Sequence, residues 1–310
     1  MNSVMMWSVF NVVIAGMLYI DLALGQRKAH AVSIREAAIW SAAWVGVSLG
    51  FCWWVAATMG QQKALEFLTG YVIEKSLSVD NLFVFIMIFS YFNVAPVHQP
   101  HVLKWGIIGA LVMRLVLILI GVTLLEMFHW IIYLFGGILI YSGWRMAFGP
   151  ERALDPEKNP VVRWFRRIMP TSTDPDHHGH FFVLVKGVRH ATPLFIALLI
   201  VEVSDLVFAV DSIPAVLAIS HDPFIVYTSN AFAILGLRAL YFLLSGIVGL
   251  FRYLKFGVSI VLVYVGIKML IVDFYKIPVG VSLGVVVGIL TLSIIVSLLP
   301  SKKETVTGDK

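Results

Sequence analysis

Apolar residues run along this chain in blocks of about twenty, separated by short polar breaks, from one end of the sequence to the other. A helix needs roughly 20 apolar residues to cross the hydrocarbon of a bilayer. The blocks therefore predict nine membrane-spanning helices, over 4–24, 36–57, 67–92, 103–125, 128–147, 193–219, 225–249, 254–273 and 278–299. The expected fold class is all-α: a polytopic membrane protein with a single transmembrane domain over 1–300. The sizeable polar break at 148–190 reads as a cytoplasmic loop, and 301–310 as a cytoplasmic tail. The first block lacks a basic leader and a small-residue cleavage site, so it reads as the first span rather than a removed signal peptide.

Charge gives the spans a direction. Cytoplasmic loops of membrane proteins carry an excess of Lys and Arg. With the N-terminus outside, the inner loops hold groups such as Arg27, Lys28 and Arg35, or Arg163, Arg166 and Arg167, whereas the outer loops hold Lys63 and Lys276. The expected orientation is N-out, C-in. The net charge of +5 follows these loops and does not describe a nucleic-acid surface. Of the 310 residues, 59% are hydrophobic and 13% charged, against about 25% charged in soluble domains. The single cysteine, Cys52, lies in an apolar block and reads as a small buried hydrophobe.

A repeat crosses the middle of the chain. Val79–Asn81 reads VDN and Val210–Ser212 reads VDS; GALVMRL ends at Leu115 and AILGLRAL at Leu240; ILIYSGWRM in the fifth span is matched by VLVYVGIKM in the eighth. Asp80 thus answers Asp211, Arg114 answers Arg238, and Arg145 answers Lys268. Spans 3–5 (67–147) and 6–8 (193–273) form two three-helix units, and an odd number of crossings inverts the second unit relative to the first. Inverted repeats are typical of secondary transporters, with the site at the midplane between them.

Two of these spans carry acids where they are unfavourable: Glu74 and Asp80 in one, Glu202, Asp205 and Asp211 in the other. A charge at the middle of a spanning helix costs roughly 2.5–3.5 kcal/mol on the insertion scale. Glu202 and Asp205, three apart, share a helix face, and Asn81, seven residues after Glu74, stacks on its face. Pro214 lacks an N–H and deprives the Val210 carbonyl of its helical partner, predicting a bent helix with a free carbonyl beside Asp211. The candidate ligands are all oxygen: the five carboxylates, the Asn81 amide, the Ser78, Ser204 and Ser212 hydroxyls and that carbonyl. Such a set suits hard divalent cations such as Mn²⁺, Mg²⁺ or Ca²⁺ rather than Zn²⁺ or Cu⁺. Clustered carboxylates in low dielectric bind either protons or a cation, the physical basis of metal–proton antiport. The alternative is that the acids only pair with Arg114, Arg238 and Lys75 and hold the spans together. The stretch DHHGH (Asp176–His180) reads as a solvated loop, with metal binding as the alternative, and VVRWFRRIM as an amphipathic loop helix that suits the inner leaflet equally well.

The segments EKSLSVDNLFVF and VEVSDLVFAVDSIPA, with DPFIVYTSNAFAILGLRALYFLL and GIKMLIVDFYKIPVGVSLGVV, resemble the signature of the TerC family of integral membrane proteins, its bacterial Alx-like branch above all, over about residues 8–299. The resemblance implies manganese export, an alkaline-pH response and, by the family's name, tellurium resistance. It implies Glu74, Asp80, Glu202, Asp205 and Asp211 as the metal-binding acids. Some members carry the label of membrane-bound redox modulator, for which this sequence offers no cofactor motif and one lone cysteine.

The expected function is an inner-membrane carrier exporting Mn²⁺, with protons as coupling ion and no permanently bound cofactor. The competing reading is a non-transporting membrane protein that organises partners or modulates redox balance. An intramembrane enzyme finds no HExxH, GxSxG or nucleophile–base pair in the sequence.

Overall fold

A computed structural model describes residues 3–24, 33–149, 160–172, 179–185, 187–245 and 253–298. Each predicted span falls on helix: α1 (Ser3–Leu24), α2 (Ile34–Met59), α3 (Gln61–Tyr91), α4 (Gln99–Met127), α5 (Ile131–Phe148), α7 (Pro193–Leu217), α8 (Pro223–Ile234) with α9 (Leu237–Ser245), α10 (Leu254–Leu270) and α11 (Val279–Leu298). Five of these, α2, α4, α5, α7 and α11, are long and apolar enough to cross a membrane, and the bent pair α8–α9 makes a sixth if it is one span. Many of their large apolar side chains face outward, Trp53, Val112, Val207 and Leu292 among them. Outward apolar surface of this kind suits lipid rather than water.

The polar stretch after α5 is not all loop. It contains the short helix α6 (Pro160–Ile168) and an antiparallel hairpin of β1 (Phe182–Val185) and β2 (Val188–Ala191), so the all-α expectation is corrected by two four-residue strands. Gly187, at φ 80°, supplies the left-handed turn between them. Of DHHGH, Asp176, His177 and His178 lie outside the described residues, as does the tail 301–310.

Pro214, where the sequence predicts a bend and a free Val210 carbonyl, lies inside α7. Helix α7 continues to Leu217, three residues past the proline. A break falls in the next span, where α8 and α9 meet at 41°. Gly236 turns the chain there with φ 75°, and the Trp44 indole lies where a side chain at 236 would start. The Lys75 ammonium donates to the carbonyls of Ala233 (3.1 Å) and Leu235 (3.3 Å), replacing helix N–H donors that the break removes.

Helix α8 forms the centre of the bundle, with every residue from Phe224 to Ile234 buried. Asp222 caps its start, accepting from the Phe224 and Ile225 amides. Helices α3, α4 and α7 surround the site described below: α3 packs on α7 and α8, and α4 packs on α7 and α8. On the far side α5 packs along α10 through small residues. A Cβ at Gly143 would lie 2.7 Å from the Ser259 carbonyl, and one at Gly266 2.7 Å from the Gly136 carbonyl. Small residues let membrane helices approach backbone to backbone, where packing rather than water exclusion drives association.

Gly266→Leu is expected to push α5 and α10 apart and cost about 1–3 kcal/mol, read as lowered thermal stability in lipid nanodiscs. Gly137→Leu is the control: no atom lies within 4 Å of its Cβ position, so stability is expected to stay within about 0.5 kcal/mol of wild type.

Candidate functional site

Four helices each send one or two polar side chains to a single point in the apolar interior. Helix α4 contributes Arg114, α3 contributes Glu74 and Asn81, α7 contributes Asp205, and α8 contributes Asn230. All five are buried, Arg114 at 2% exposure and Glu74 at 0%. The Arg114 guanidinium takes Asp205 with two parallel bonds, Nε to Oδ2 at 3.2 Å and Nη2 to Oδ1 at 2.8 Å. Its remaining nitrogen, Nη1, is ion-paired with Glu74 Oε1 and donates to Asn230 Oδ1 at 3.2 Å. Asn230 closes the ring by donating from Nδ2 to Glu74 Oε2 at 3.1 Å. A planar fork of N–H donors is what arginine offers and lysine does not.

The charges here do not cancel. One guanidinium faces two carboxylates, which leaves an excess of one negative charge when both are ionised. Beside it lies a cavity of about 10 Å³, room for roughly one water-sized sphere, lined by Ser78, Asn81, Arg114 and Asp205 among others. Ser78 Oγ and Asn81 Oδ1 are buried without a hydrogen-bond partner. Buried polar atoms are normally satisfied, so two unmatched oxygens on residues that line a cavity beside two carboxyl groups and one guanidinium are a specific anomaly.

Among the described residues, the other predicted side chains make no hydrogen bond or ion pair with Arg114. Glu202 is half-buried and packs on α4, its carboxylate filling the space that a side chain at Gly109 would occupy. Asp211 is half-buried and accepts from Ser142 Oγ of α5 at 2.6 Å. Six residues separate it from Asp205, a rotation of about 240°, so the two face different neighbours. Ser212 is buried with its hydroxyl unpartnered, Pro214 is buried, and Ser204 and Arg238 are half-buried. Asp80 lies in α3, with its side chain outside the described residues. Among the described residues no three His, Cys, Asp or Glu side chains converge as a metal cluster. At the point where Glu74 and Asp205 converge, the guanidinium stands between them.

The profile of the Integral membrane protein TerC family matches residues 59–305. The chain belongs to the TerC family. A Salmonella typhi relative provisionally named membrane-bound redox modulator Alx is 50% identical over 309 residues, 96% of each chain. The protein of the same name from Escherichia coli K12 is likewise 50% identical over 96% of each chain. An uncharacterized membrane protein of Myxococcus xanthus, STKORF319, is 49% identical over 300 residues, covering 96% of this chain and 93% of that one. No solved structure matches.

All the predicted site residues lie inside the TerC match. Sequence reasoning paired Asp80 with Asp211 but left Glu74 and Asp205 unmatched. The signal was present: Glu74 precedes Asp80 by six residues and Asp205 precedes Asp211 by six, so the two acids that share Arg114 hold the same register. Asn230 was missed, and a lone amide in an apolar block offers no periodicity by which to find it.

The excess of acid over base sets the order of mutational effects. Glu74→Gln leaves a neutral Arg114–Asp205 pair and is expected to change stability by less than about 1 kcal/mol, whereas Arg114→Gln leaves two buried like charges and is expected to cost about 3–5 kcal/mol. Thermal unfolding of the two variants side by side checks this; equal losses would show that charge balance is not what the ring supplies.

Proposed function

We propose that this TerC protein is a secondary transporter of the bacterial inner membrane that exports a divalent metal cation in exchange for protons. One observation carries the reading: the buried Glu74–Arg114–Asp205 ring, two carboxyl groups to one guanidinium, beside a cavity lined in part by Ser78 and Asn81, whose side-chain oxygens are unmatched. Intramembrane ionisable groups facing a bundle interior mark ion pathways. The donors are oxygens, which suits a hard cation. Mn²⁺ as the cargo follows from the resemblance to the TerC family, since oxygen ligands alone do not choose it over Mg²⁺ or Ca²⁺. In this reading Glu74, Asp80, Asn81, Glu202, Asp205 and Asp211 together serve the metal along its path, and Arg114, Arg238, Ser212 and Pro214 tune or shape that path. No resident cofactor is part of it; metal and protons are its partners, and lipid is its surroundings.

The architecture proposed with this function is nine spans, N-out and C-in, with an inverted repeat. The helix packing supports it. If α3 is exchanged with α7, α4 with α8 and α5 with α10, the contact of α3 with α8 becomes that of α7 with α4, and both are present. The α5–α10 pair maps onto itself, the Gly143–Ser259 approach becoming the Gly266–Gly136 approach. A two-fold relation of this kind gives a site at the repeat interface two alternative, mirrored exits.

The names of the Salmonella and Escherichia relatives carry a second reading, redox modulation at the membrane. Against thiol chemistry stands Cys52, the one cysteine of the sequence, whose Sγ meets the Ala64 carbonyl at 3.5 Å.

The deciding measurement is metal flux in proteoliposomes across an imposed pH gradient. Wild type is expected to couple Mn²⁺ movement to proton movement, and Asp80→Asn and Asp211→Asn to lose at least about tenfold in rate, the equivalent of roughly 1.4 kcal/mol. Wild-type vesicles that move no metal, or variants that keep full flux, would overturn the proposal.

A further inference from the structure

The ring around Arg114 poses a question that transport alone does not answer. A metal reaching Asp205 finds both carboxylate oxygens already engaged, Oδ2 by Nε at 3.2 Å and Oδ1 by Nη2 at 2.8 Å. We infer that Arg114 is a tethered competitor for the transported cation, its guanidinium holding Asp205 when the site is empty and yielding it when a divalent ion loads. This inference rests on the transport reading above and adds a mechanism for release to it.

Three observations support the competition. First, geometry: Asp205 and Arg114 both line the small cavity, together with Ser78 and Asn81, so an ion there would approach the oxygens that the fork occupies. The unmatched Ser78 Oγ and Asn81 Oδ1, both nine-tenths buried or more, are oxygens placed to receive it. Second, charge: a divalent ion added to Glu74, Asp205 and an unmoved guanidinium turns an excess of one negative charge into an excess of one positive charge, in a dry interior where uncompensated charge is strongly disfavoured. Withdrawal of the guanidinium from Asp205 relieves part of that conflict. Third, tethering: Arg114 keeps its other nitrogen on Glu74 and Asn230, so it can release Asp205 without leaving the ring. A third buried carboxylate partner for the guanidinium is not required.

The benefit to a carrier is weak binding. Bare buried carboxylates would hold a divalent ion too long, and a transport site must bind well enough to load and weakly enough to release. A competing cation that is part of the protein lowers apparent affinity by the fraction of time it occupies the site. It is a positioning and competing group, not a ligand.

The test uses the full chain in lipid nanodiscs, with Mn²⁺ as the probe and binding read by loss of the free-ion electron paramagnetic resonance signal. Arg114→Gln removes the competitor and is expected to tighten Mn²⁺ binding about tenfold or more, while slowing efflux from proteoliposomes because release becomes slow. Arg114→Lys keeps the charge but cannot make the fork, and is expected to fall between Arg114→Gln and wild type. If Arg114→Gln does not fold, the lysine variant alone decides. A role confined to holding the helices together predicts lowered unfolding temperature with Mn²⁺ affinity of the folded protein unchanged. Variants that bind Mn²⁺ as weakly as wild type, or more weakly, overturn the inference and leave the transport reading standing. Wild type that neither binds nor moves Mn²⁺ removes both.

Discussion

Burying a guanidinium and two carboxylates inside a bundle of apolar helices works only if the protein supplies the hydrogen bonds that water would have made. The ring of Glu74, Arg114, Asp205 and Asn230 meets that demand with one residue from each of four helices. No two of these helices can shift by a turn without separating a charge from its partner. The ring therefore fixes the register of α3, α4, α7 and α8 against one another, as the apolar contacts around it cannot, since those tolerate sliding. A buried polar network has most influence on specificity where alternatives would leave it half satisfied.

The molecule divides its work between two kinds of contact. Around α8 the interior is aromatic and polar, with Phe51, Phe67 and Phe232 packed on one another. Along α5 and α10 it is glycine and serine, with backbone meeting backbone. The second seam sets its glycines against the opposing backbone and the side chains of Ile140, Leu262 and Leu270. It behaves as a strut, whereas the break between α8 and α9 lies against the charged site and ends in carbonyls held by a lysine. Motion, where the protein needs it, is cheapest at such a break.

Much of this was legible in the sequence because lipid leaves few options. Apolar blocks of the right length gave helices within a few residues of those observed, and acids in those blocks marked the interior, since nothing else in a membrane tolerates them. What stayed hidden was local geometry. The break between α8 and α9 depends on Gly236 adopting a left-handed conformation against Trp44, which apolar and polar patterning does not announce. The hairpin at Phe182–Ala191 is too short to announce itself by alternation. Counting acids gave one group of five. It could not reveal that Asp205 and Asp211 point different ways, because that depends on which neighbour each helix face meets.

One contact sets a limit on how such chains can change over time. The Glu202 carboxylate lies in the hollow over Gly109, so the two positions share a single volume. A larger residue at 109 evicts the long acid, and a shorter acid at 202 leaves the hollow vacant. The first step displaces only the far end of a flexible side chain, so the two positions are coupled in volume rather than locked together. Position 109 thus carries the memory of position 202, and a glycine in an apolar helix, unremarkable by composition, is in effect the complement of a charge on a different helix.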